Sequence, residues 1–214
     1  MQRIAIVDYN MGNLHSVRRA VEHTAPSGNR VEITSDPDSI RHADRIIFPG
    51  QGAARDCMRE LSTLGLQEVI LEVVREKPFL GICMGMQVLM QHSEENGGIE
   101  CMGLYPGDVR YFGAPGRQDP AAGRLKIPQM GWNQIWHSTP HALWEGIADG
   151  ARFYFVHSYF VQPQDARLIS GETDYGLRYA AAIARDNVFA IQAHPEKSAD
   201  DGLRLLSNFM RWQP

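Results

Sequence analysis

The feature that most constrains the fold of this chain is the segment 79–87, where a short apolar run ends at Cys83 between two glycines, Gly81 and Gly85. A glycine two residues before and two residues after a nucleophilic side chain is typical of a nucleophile elbow, a sharp turn from a strand into a helix. Larger side chains at the two glycine positions would collide with the strand or the helix. The segment therefore predicts a strand that ends at an exposed thiol, followed by a helix-compatible run over residues 86–90 whose N-terminus favours a thiolate.

A second chemical signal lies near the other end of the chain, where His194, Pro195 and Glu196 follow the β-prone stretch 187–193. A histidine and a carboxylate two positions apart at the end of a strand can project toward the same side. A thiol nucleophile needs a histidine to exchange protons, and that histidine needs a third group to hold its ring. Cys83, His194 and Glu196 therefore form a candidate catalytic triad. From these residues alone, a buried inert cysteine and an ordinary loop histidine remain the alternatives.

The first half of the chain alternates predicted strands with predicted helices. Strands are predicted at residues 3–8, Arg30–Thr34, 45–48 and Phe79–Cys83, and helices at residues 13–23, with Asn13 as a possible N-cap, and 66–76. This alternation argues for a parallel sheet covered by helices on both faces. Reactive groups of such sheets gather at the carboxyl ends of the strands. Cys83, His194 and the Pro-Gly-Gln-Gly loop at residues 49–52 all follow predicted strands, so we expect them at one edge.

The second half of the chain has a different pattern of predicted elements, because its strands follow one another without helices between them. These strands are at residues 108–112, Gln129–His137, 152–161 and 179–184, with a surface loop at 113–120 and a closing helix at 198–211. The sequence thus predicts an α/β fold in which a largely parallel sheet flanked by helices carries an antiparallel or mixed extension. No linker or internal repeat interrupts it, and we expect a single domain over residues 1–214.

Composition and charge exclude several classes of function. The net charge is −4 and no basic run occurs, so binding to nucleic acid or to an anionic membrane is not expected. The three cysteines form no CxxC pair, which argues against a disulfide framework and a zinc ribbon and favours a reducing, cytoplasmic setting. No apolar run is long enough to span a membrane. His137 and His141 have helical spacing, but Pro140 lies between them, and no metal or cofactor is assigned.

Several blocks together resemble a known family. Residues 81–87, 49–52 and 194–196 resemble the class I, triad-type glutamine amidotransferases. More narrowly, the chain resembles the glutaminase subunits of imidazole glycerol phosphate synthases, of histidine biosynthesis, through residues 8–14, 130–133, 155–159 and 194–198. The matching blocks cover most of the chain, and the resemblance implies the class I glutamine amidotransferase fold.

The resemblance implies a chemistry that these residues can carry out. Cys83 would attack the side-chain amide of glutamine, His194 would protonate the departing ammonia, and Glu196 would orient His194. A γ-glutamyl thioester would form and then be hydrolysed. One oxyanion donor would be the backbone N–H of Met84, and the second would be that of Gln51 or Gly52. The residues that would hold glutamine are Gly50, Gly52, Gln87, Glu95, His157 and Ser158.

The resemblance also implies a partner chain. The ammonia would pass to a (β/α)₈-barrel cyclase subunit, which would use it to make imidazole glycerol phosphate and an aminoimidazole carboxamide ribonucleotide. The residues that would lie on the side of this partner and the channel are Met11, Asn13, Trp132, Tyr154 and Lys197. Core packing is the competing interpretation for Trp132 and Tyr154. This chain also has Gln51 where the family more often has a small aliphatic residue.

Two other functions compete with this interpretation. The first is a glutaminase subunit of a different synthase, such as anthranilate or pyridoxal phosphate synthase, against which residues 8–14 and 131–133 argue. The second is a non-catalytic interaction module that kept the fold and lost the activity. The presence of Cys83, His194 and Glu196 argues against that second alternative.

Overall fold

A computed structural model describes residues 1–114, 116 and 125–214, so part of the loop expected at 113–120 lies outside the described residues. The strands are β1 (Arg3–Val7), β2 (Arg30–Thr34), β3 (Arg45–Gly50), β4 (Phe79–Cys83), β5 (Met90–Ser93), β6 (Ile99–Glu100), β7 (Tyr105–Tyr111), β8 (Gln129–His137), β9 (Ala151–His157), β10 (Tyr159–Pro163), β11 (Ile169–Asp174), β12 (Arg178–Arg185) and β13 (Val188–Ile191). The helices are α1 (Leu14–Thr24), α2 (Pro37–Arg41), α3 (Ala54–Thr63), α4 (Leu66–Val73), α5 (Met84–Gln87) and α6 (Ala199–Arg211).

The first half forms a parallel sheet in the order β2-β1-β3-β4-β13. Strands β3 and β4 are buried along their whole length, as expected for continuous apolar runs in a sheet covered on both faces. One core packs apolar residues of α2, α3 and α4 against one face of the sheet. A second core packs α1 and α6 against the opposite face. The predicted parallel sheet with helices on both faces is confirmed.

The second half continues the sheet with mostly antiparallel strands. Strand β12 pairs antiparallel with β13, and β10 and β7 follow it in the same sense. Strands β11, β8 and β9 branch from β12 by antiparallel pairing. The predicted antiparallel or mixed extension is therefore confirmed, and it places β9 and β10 beside the carboxyl ends of the parallel strands.

Two local predictions were wrong. Residues 152–161 form two strands rather than one, with a break at Ser158, because β9 pairs with β8 whereas β10 pairs with β7. Only Met86 and Gln87 of the run 86–90 are helical, because α5 ends after a single turn and β5 begins at Met90. One turn of helix carries little macrodipole, so the predicted helical support for a thiolate is largely missing.

Within the described part of the chain, the longest helices fall well short of the length and apolar character needed to cross a bilayer.

Candidate active site

Cys83 is the last residue of β4 and adopts φ 56° and ψ −109°, a conformation that side chains rarely take. The flanking glycines make this turn possible. A Cβ at Gly81 would lie 2.7 Å from the carbonyl oxygen of Gly85, and a Cβ at Gly85 would overlap the carbonyl oxygen of Phe48. The predicted reason for both glycines is confirmed, and the strained turn places Cys83 at the edge of the sheet. The prediction of an exposed thiol was wrong, because Cys83 is only 6% exposed and is reached through a cavity.

His194 follows the end of β13, the strand that pairs with β4 on the side opposite β3. Its backbone N–H donates to the carbonyl of Tyr154 in β9 at 2.9 Å, and its backbone carbonyl accepts from Ser198 Oγ at 2.6 Å. The ring atom Nδ1 lies 2.8 Å from Glu196 Oε1. The side chains of His194 and Glu196 are only 7% and 2% exposed, so this pair is shielded from water. The carboxylate thus fixes the orientation of the ring.

The charge state of His194 follows from opposing effects. Burial lowers its pKa, but hydrogen bonding and charge interaction with Cys83 and Glu196 outweigh burial and raise the pKa to about 10. Cys83 and His194 line the same cavity, and His194 Nε2 makes no hydrogen bond of good geometry with any described residue. At neutral pH the ring is protonated, which is the form that can give a proton to a leaving amine.

A cavity of about 570 Å³ opens in front of the thiol. It brings together most of the residues that the sequence singled out: Met11, Gln51, Gly52, Cys83, Met84, Gln87, Glu95, His157, Ser158, His194 and Lys197. Gly50, Asn13 and Glu196 instead line a much smaller adjoining cavity. The expected convergence of the three loops at one edge is confirmed.

The loop after β3 is supported from beneath by two residues that were not predicted as site residues, Tyr9 and Cys57. The Tyr9 hydroxyl lies 3.9 Å from Cys57 Sγ, and the Cys57 thiol donates to the carbonyl of Gln51 at 3.6 Å. Burial raises the pKa of Cys57 to about 12, so this thiol stays protonated and can donate. A Cβ at Gly50 would overlap the Tyr9 hydroxyl. The loop therefore rests directly on a buried tyrosine.

Glu95 reaches the cavity from the turn after β5 and also caps the N-terminus of helix α3. Its Oε2 accepts from the backbone N–H of Ala54 at 2.6 Å, at the start of α3, where Ala53 offers no capping side chain. Burial raises the pKa of Glu95, and the hydrogen bond from Ala54 opposes this effect. Glu95 thus ties α3 to the rim of the cavity.

His157 is buried at the end of β9. Its Nδ1 lies 2.7 Å from the carbonyl oxygen of Tyr159, and its Nε2 lies 3.1 Å from the hydroxyl of Tyr179. Burial is the main cause that lowers its pKa, to about 4; the bond to Tyr159 opposes this shift and the charge of His194 adds to it. His157 is therefore neutral at pH 7, with a proton on Nδ1 for the Tyr159 carbonyl.

The buried neutral His157 predicts acid sensitivity. The unfolded chain, with a pKa near 6.5, takes up this proton before the folded chain does. The stability gained from the neutral ring is thus full above about pH 6.5 and is lost as the pH falls toward 4. His157→Asn removes this titration. Between pH 7 and pH 5 its free energy of unfolding should fall by about 2 kcal/mol less than that of the wild type. Urea unfolding at both pH values measures this, and equal falls would contradict it.

A further residue at the site, Gln192, was not singled out from the sequence. It follows β13, is fully buried, and places its Nε2 3.6 Å from Cys83 Sγ. Its Oε1 accepts from Gln87 Nε2 at 2.8 Å. A glutamine two residues before His194 would face the same edge of the sheet, and this spacing is the only signal that could have identified it.

Comparison with known proteins agrees with this geometry. The profile of the family Glutamine amidotransferase class-I matches residues 5–212. The Imidazole glycerol phosphate synthase subunit HisH of Thiobacillus denitrificans is 56% identical over 211 residues, which are 99% of this chain and 92% of that protein. The protein of the same name from Aromatoleum aromaticum is 54% identical over 214 residues and the match covers 100% of both chains. This chain is a class I glutamine amidotransferase of the HisH family. The resemblance drawn from the motifs is confirmed.

Solved structures of more distant proteins share the fold of this glutamine amidotransferase. A crystal structure described as that of a glutamine amidotransferase superposes with a TM-score of 0.70 at 14% identity, over 97% of this chain and 99% of that chain. PurLQS from Thermotoga maritima gives a TM-score of 0.70 at 17% identity, over 99% of both chains. At these identities the likeness concerns the fold alone, and the predicted fold class is confirmed.

In this HisH-family glutamine amidotransferase, an aromatic cluster lies beside the mouth of the cavity. Trp132 in β8 pairs with Tyr154 in β9, and their rings meet edge-to-face with centroids 6.2 Å apart. Lys197 Nζ lies 5.9 Å from the centre of the Tyr154 ring. Trp132 is 50% exposed and Met130 is 61% exposed, so the core-packing interpretation is wrong for Trp132. We call Met130, Trp132, Tyr154 and Lys197 the aromatic face.

Asn13 has a local role that its sequence position predicted. Its side chain accepts from the backbone N–H of Ser16 at 3.4 Å and so caps α1. The cap holds the start of this helix beside the cavity.

Proposed function

We propose that this chain hydrolyses glutamine to glutamate and ammonia through Cys83, His194 and Glu196. The observation that carries this proposal is the arrangement around one cavity. A thiol on a strained elbow faces a buried histidine whose Nδ1 is held by a carboxylate at 2.8 Å. Nucleophile, proton carrier and orienting group are thus in the order that acyl transfer from an amide requires.

The reaction proceeds in two halves. The thiolate of Cys83 forms a bond to the side-chain amide carbon of glutamine, and the electron pair of the carbonyl moves onto its oxygen. The intermediate then expels the amide nitrogen, which takes a proton from His194 and leaves as ammonia. A γ-glutamyl thioester remains. Water gives a proton to His194 as it attacks this thioester, the sulfur leaves with its electron pair, and glutamate is released.

We propose that backbone N–H groups stabilise the oxyanion of both intermediates. The N–H of Met84 directly follows the nucleophile, which is the usual place for one donor. The second comes from Gln51 or Gly52, since the register pairs Gly50 with Cys83 and so brings this loop beside the thiol. Donors fixed by the fold are worth more than water because they need no reorganisation during the reaction.

The cavity residues are proposed to hold the substrate. The Oε1 of Gln87 is buried and makes no hydrogen bond with a described residue, so it can accept a hydrogen bond from the substrate. The carboxylate of Glu95 at the rim fits the α-ammonium group of glutamine. Gly52 and Ser158 line the cavity, and Ser158 lies in the break between β9 and β10. The backbone of Gly50 would contribute from beside the thiol, because its register pairs it with Cys83.

We further propose that the ammonia is delivered to a (β/α)₈-barrel cyclase subunit. The relatives are named as subunits of imidazole glycerol phosphate synthase, which favours this synthase over anthranilate or pyridoxal phosphate synthase. The aromatic face, with Met11 and Asn13 nearby, is the proposed docking surface. Exposed aromatic side chains next to a cation are typical of interface centres. The free cysteines fit a cytoplasmic setting.

A diazo-ketone analogue of glutamine tests the proposed function. We expect it to alkylate Cys83 and to spare Cys57 and Cys101, because burial raises the pKa of each of these two thiols to about 12. Peptide mass spectrometry locates the label. Excess glutamine should protect Cys83 from the diazo-ketone analogue. It should slow the reaction of Cys83 with an alkylating agent that lacks the glutamine head group to a smaller degree. Preferential labelling of either other cysteine would contradict the proposal.

A further inference from the structure

We propose that Gln192 supplies a hydrogen bond to the sulfur of Cys83 and that Gln87 fixes the direction of this bond. Gln192 would thereby stabilise the thiolate, both before it attacks and when it leaves the thioester. This inference rests on the proposed role of Cys83 as the nucleophile. It assigns a second donor group to the site besides the triad and the oxyanion loop.

The position of Gln192 is rigid. Its side chain is fully buried, and its backbone N–H donates to the carbonyl of Ala181 in β12 at 2.8 Å. The preceding residue, Ile191, pairs with Ile82 of β4, one position before the nucleophile. The amide of Gln192 is therefore held against the elbow by two neighbouring strands, and its Nε2 lies 3.6 Å from Cys83 Sγ.

The direction of the hydrogen bond between Gln192 and Cys83 follows from the backbone carbonyl of Tyr159, which orients Gln87 and through it Gln192. Gln87 Nε2 donates to the carbonyl oxygen of Tyr159 at 3.1 Å and to Gln192 Oε1 at 2.8 Å. A carbonyl oxygen only accepts, so Gln87 must turn its NH₂ group toward Tyr159. The second proton of that NH₂ group then points to Gln192, so the side-chain oxygen of Gln192 must be the acceptor.

As a result, the NH₂ group of Gln192 is the end that faces Cys83. The opposite orientation would place Gln192 Oε1 against the lone pairs of the sulfur and set two NH₂ groups of Gln192 and Gln87 against each other. A buried polar chain with one satisfied orientation is specific because every other orientation leaves groups unpaired. The Tyr159 carbonyl is in turn held by His157 Nδ1 at 2.7 Å, so both ends of the chain are fixed.

A donor at the sulfur has a definite chemical effect. A hydrogen bond to a charged group is stronger than one to its neutral form, so an N–H at Cys83 favours the thiolate. This contribution matters here because α5 is only one turn long and offers little macrodipole. In the second half of the reaction the carbon–sulfur bond breaks and its electron pair returns to sulfur. The same N–H then stabilises the leaving group.

The test compares two substitutions of similar length. Gln192→Met removes the donor, and Gln192→Glu replaces it with an acceptor that is also an anion. The rate of Cys83 alkylation by iodoacetamide is followed against pH, with each cysteine resolved by mass spectrometry. We expect the pH midpoint of the alkylation rate to rise by about one unit in Gln192→Met and to rise further in Gln192→Glu. A purely structural role would not produce this order.

A second measurement avoids any loss of folding at position 192. In the ¹⁵N-labelled wild-type protein, the side-chain NH₂ resonances of Gln192 should shift with pH at the midpoint found by alkylation. The step should be absent in Cys83→Ala. The proposal is overturned if the wild type shows no such step, or if Gln192→Met folds and keeps the wild-type midpoint. The glutamine analogue can still label Cys83 in either case, so failure here is distinct from failure of the proposed function.

Discussion

Replacing Cys83 with alanine should lower kcat for glutamine hydrolysis by at least about 10⁴-fold, because Cys83 carries the only thiol among the described residues that line the cavity. The elbow should survive the change, since the strained turn depends on Gly81 and Gly85. Association with the cyclase subunit should therefore persist. Glutamate release by the purified variant, with and without the liganded cyclase subunit, measures the effect.

Cys101→Ala is the matched control for this experiment. Cys101 is a free cysteine next to β6, outside the cavity, and its loss should leave hydrolysis near the wild-type rate. Glutamate production above background by Cys83→Ala would refute the triad. Full loss in both variants would indicate a general defect in folding rather than a missing nucleophile. A wild-type chain without any glutaminase activity, with or without the partner, would favour the non-catalytic interaction module.

The second large effect concerns the oxyanion loop and the cyclase subunit. Gly52 has φ +89°, and the carbonyl of Gln51 before it is held by the Cys57 thiol at 3.6 Å. We expect the isolated chain to be a poor glutaminase whose loop adopts its active orientation when the liganded partner binds. One oxyanion donor is worth about 10²–10³ in kcat, so activation should be at least that large. Gly52→Ala should suppress the activation while association persists, because glycine alone moves freely at positive φ.

Gly28→Ala separates this effect from ordinary backbone strain. Gly28 has the same φ of +89° but lies between α1 and β2, with open space around it. The Gly28→Ala variant should lose some stability but should still be activated by the liganded cyclase subunit. A Cβ at Gly52, by contrast, would also meet Met11 Cε at 2.8 Å. The measured quantity is the ratio of kcat with and without the liganded cyclase subunit. A ratio near one for a fully active wild type would rule out the switch.

The carbonyl of Tyr159 connects the two halves of the molecule at the site. This carbonyl accepts hydrogen bonds from His157 at the end of β9 and from Gln87 in α5. The break between β9 and β10 makes this possible, because it turns the chain at Ser158 and leaves the next carbonyl facing inward. The antiparallel extension therefore does more than cover the sheet, since it fixes the polar groups behind the nucleophile.

Prediction succeeded where local pattern and burial agree. Strands β2, β4 and β8 have the predicted bounds, since β4 is a continuous apolar run and turn residues delimit β2 and β8. The N-cap at Asn13 was also visible, because capping depends on adjacent residues. Prediction failed for the second part of the run 86–90, where the helix stops at Gln87 and strand β5 begins at Met90. Pairing with β7 and β6 decides that segment, and pairing between distant segments leaves no local pattern.

The sequence by itself determined the parallel half of the fold and the elbow, and it identified the residues of the proposed triad. Those conclusions follow from periodicity, from glycine spacing and from the chemistry that a thiol nucleophile needs. Only the tertiary structure decided which buried side chains stand behind the nucleophile. Gln192, Tyr9 and Cys57 act through contacts between segments 48 to 109 residues apart. A hydrogen bond over such a distance is set by how the strands are ordered in the sheet. The orientation of each buried amide is then set by whichever carbonyl lies next to it.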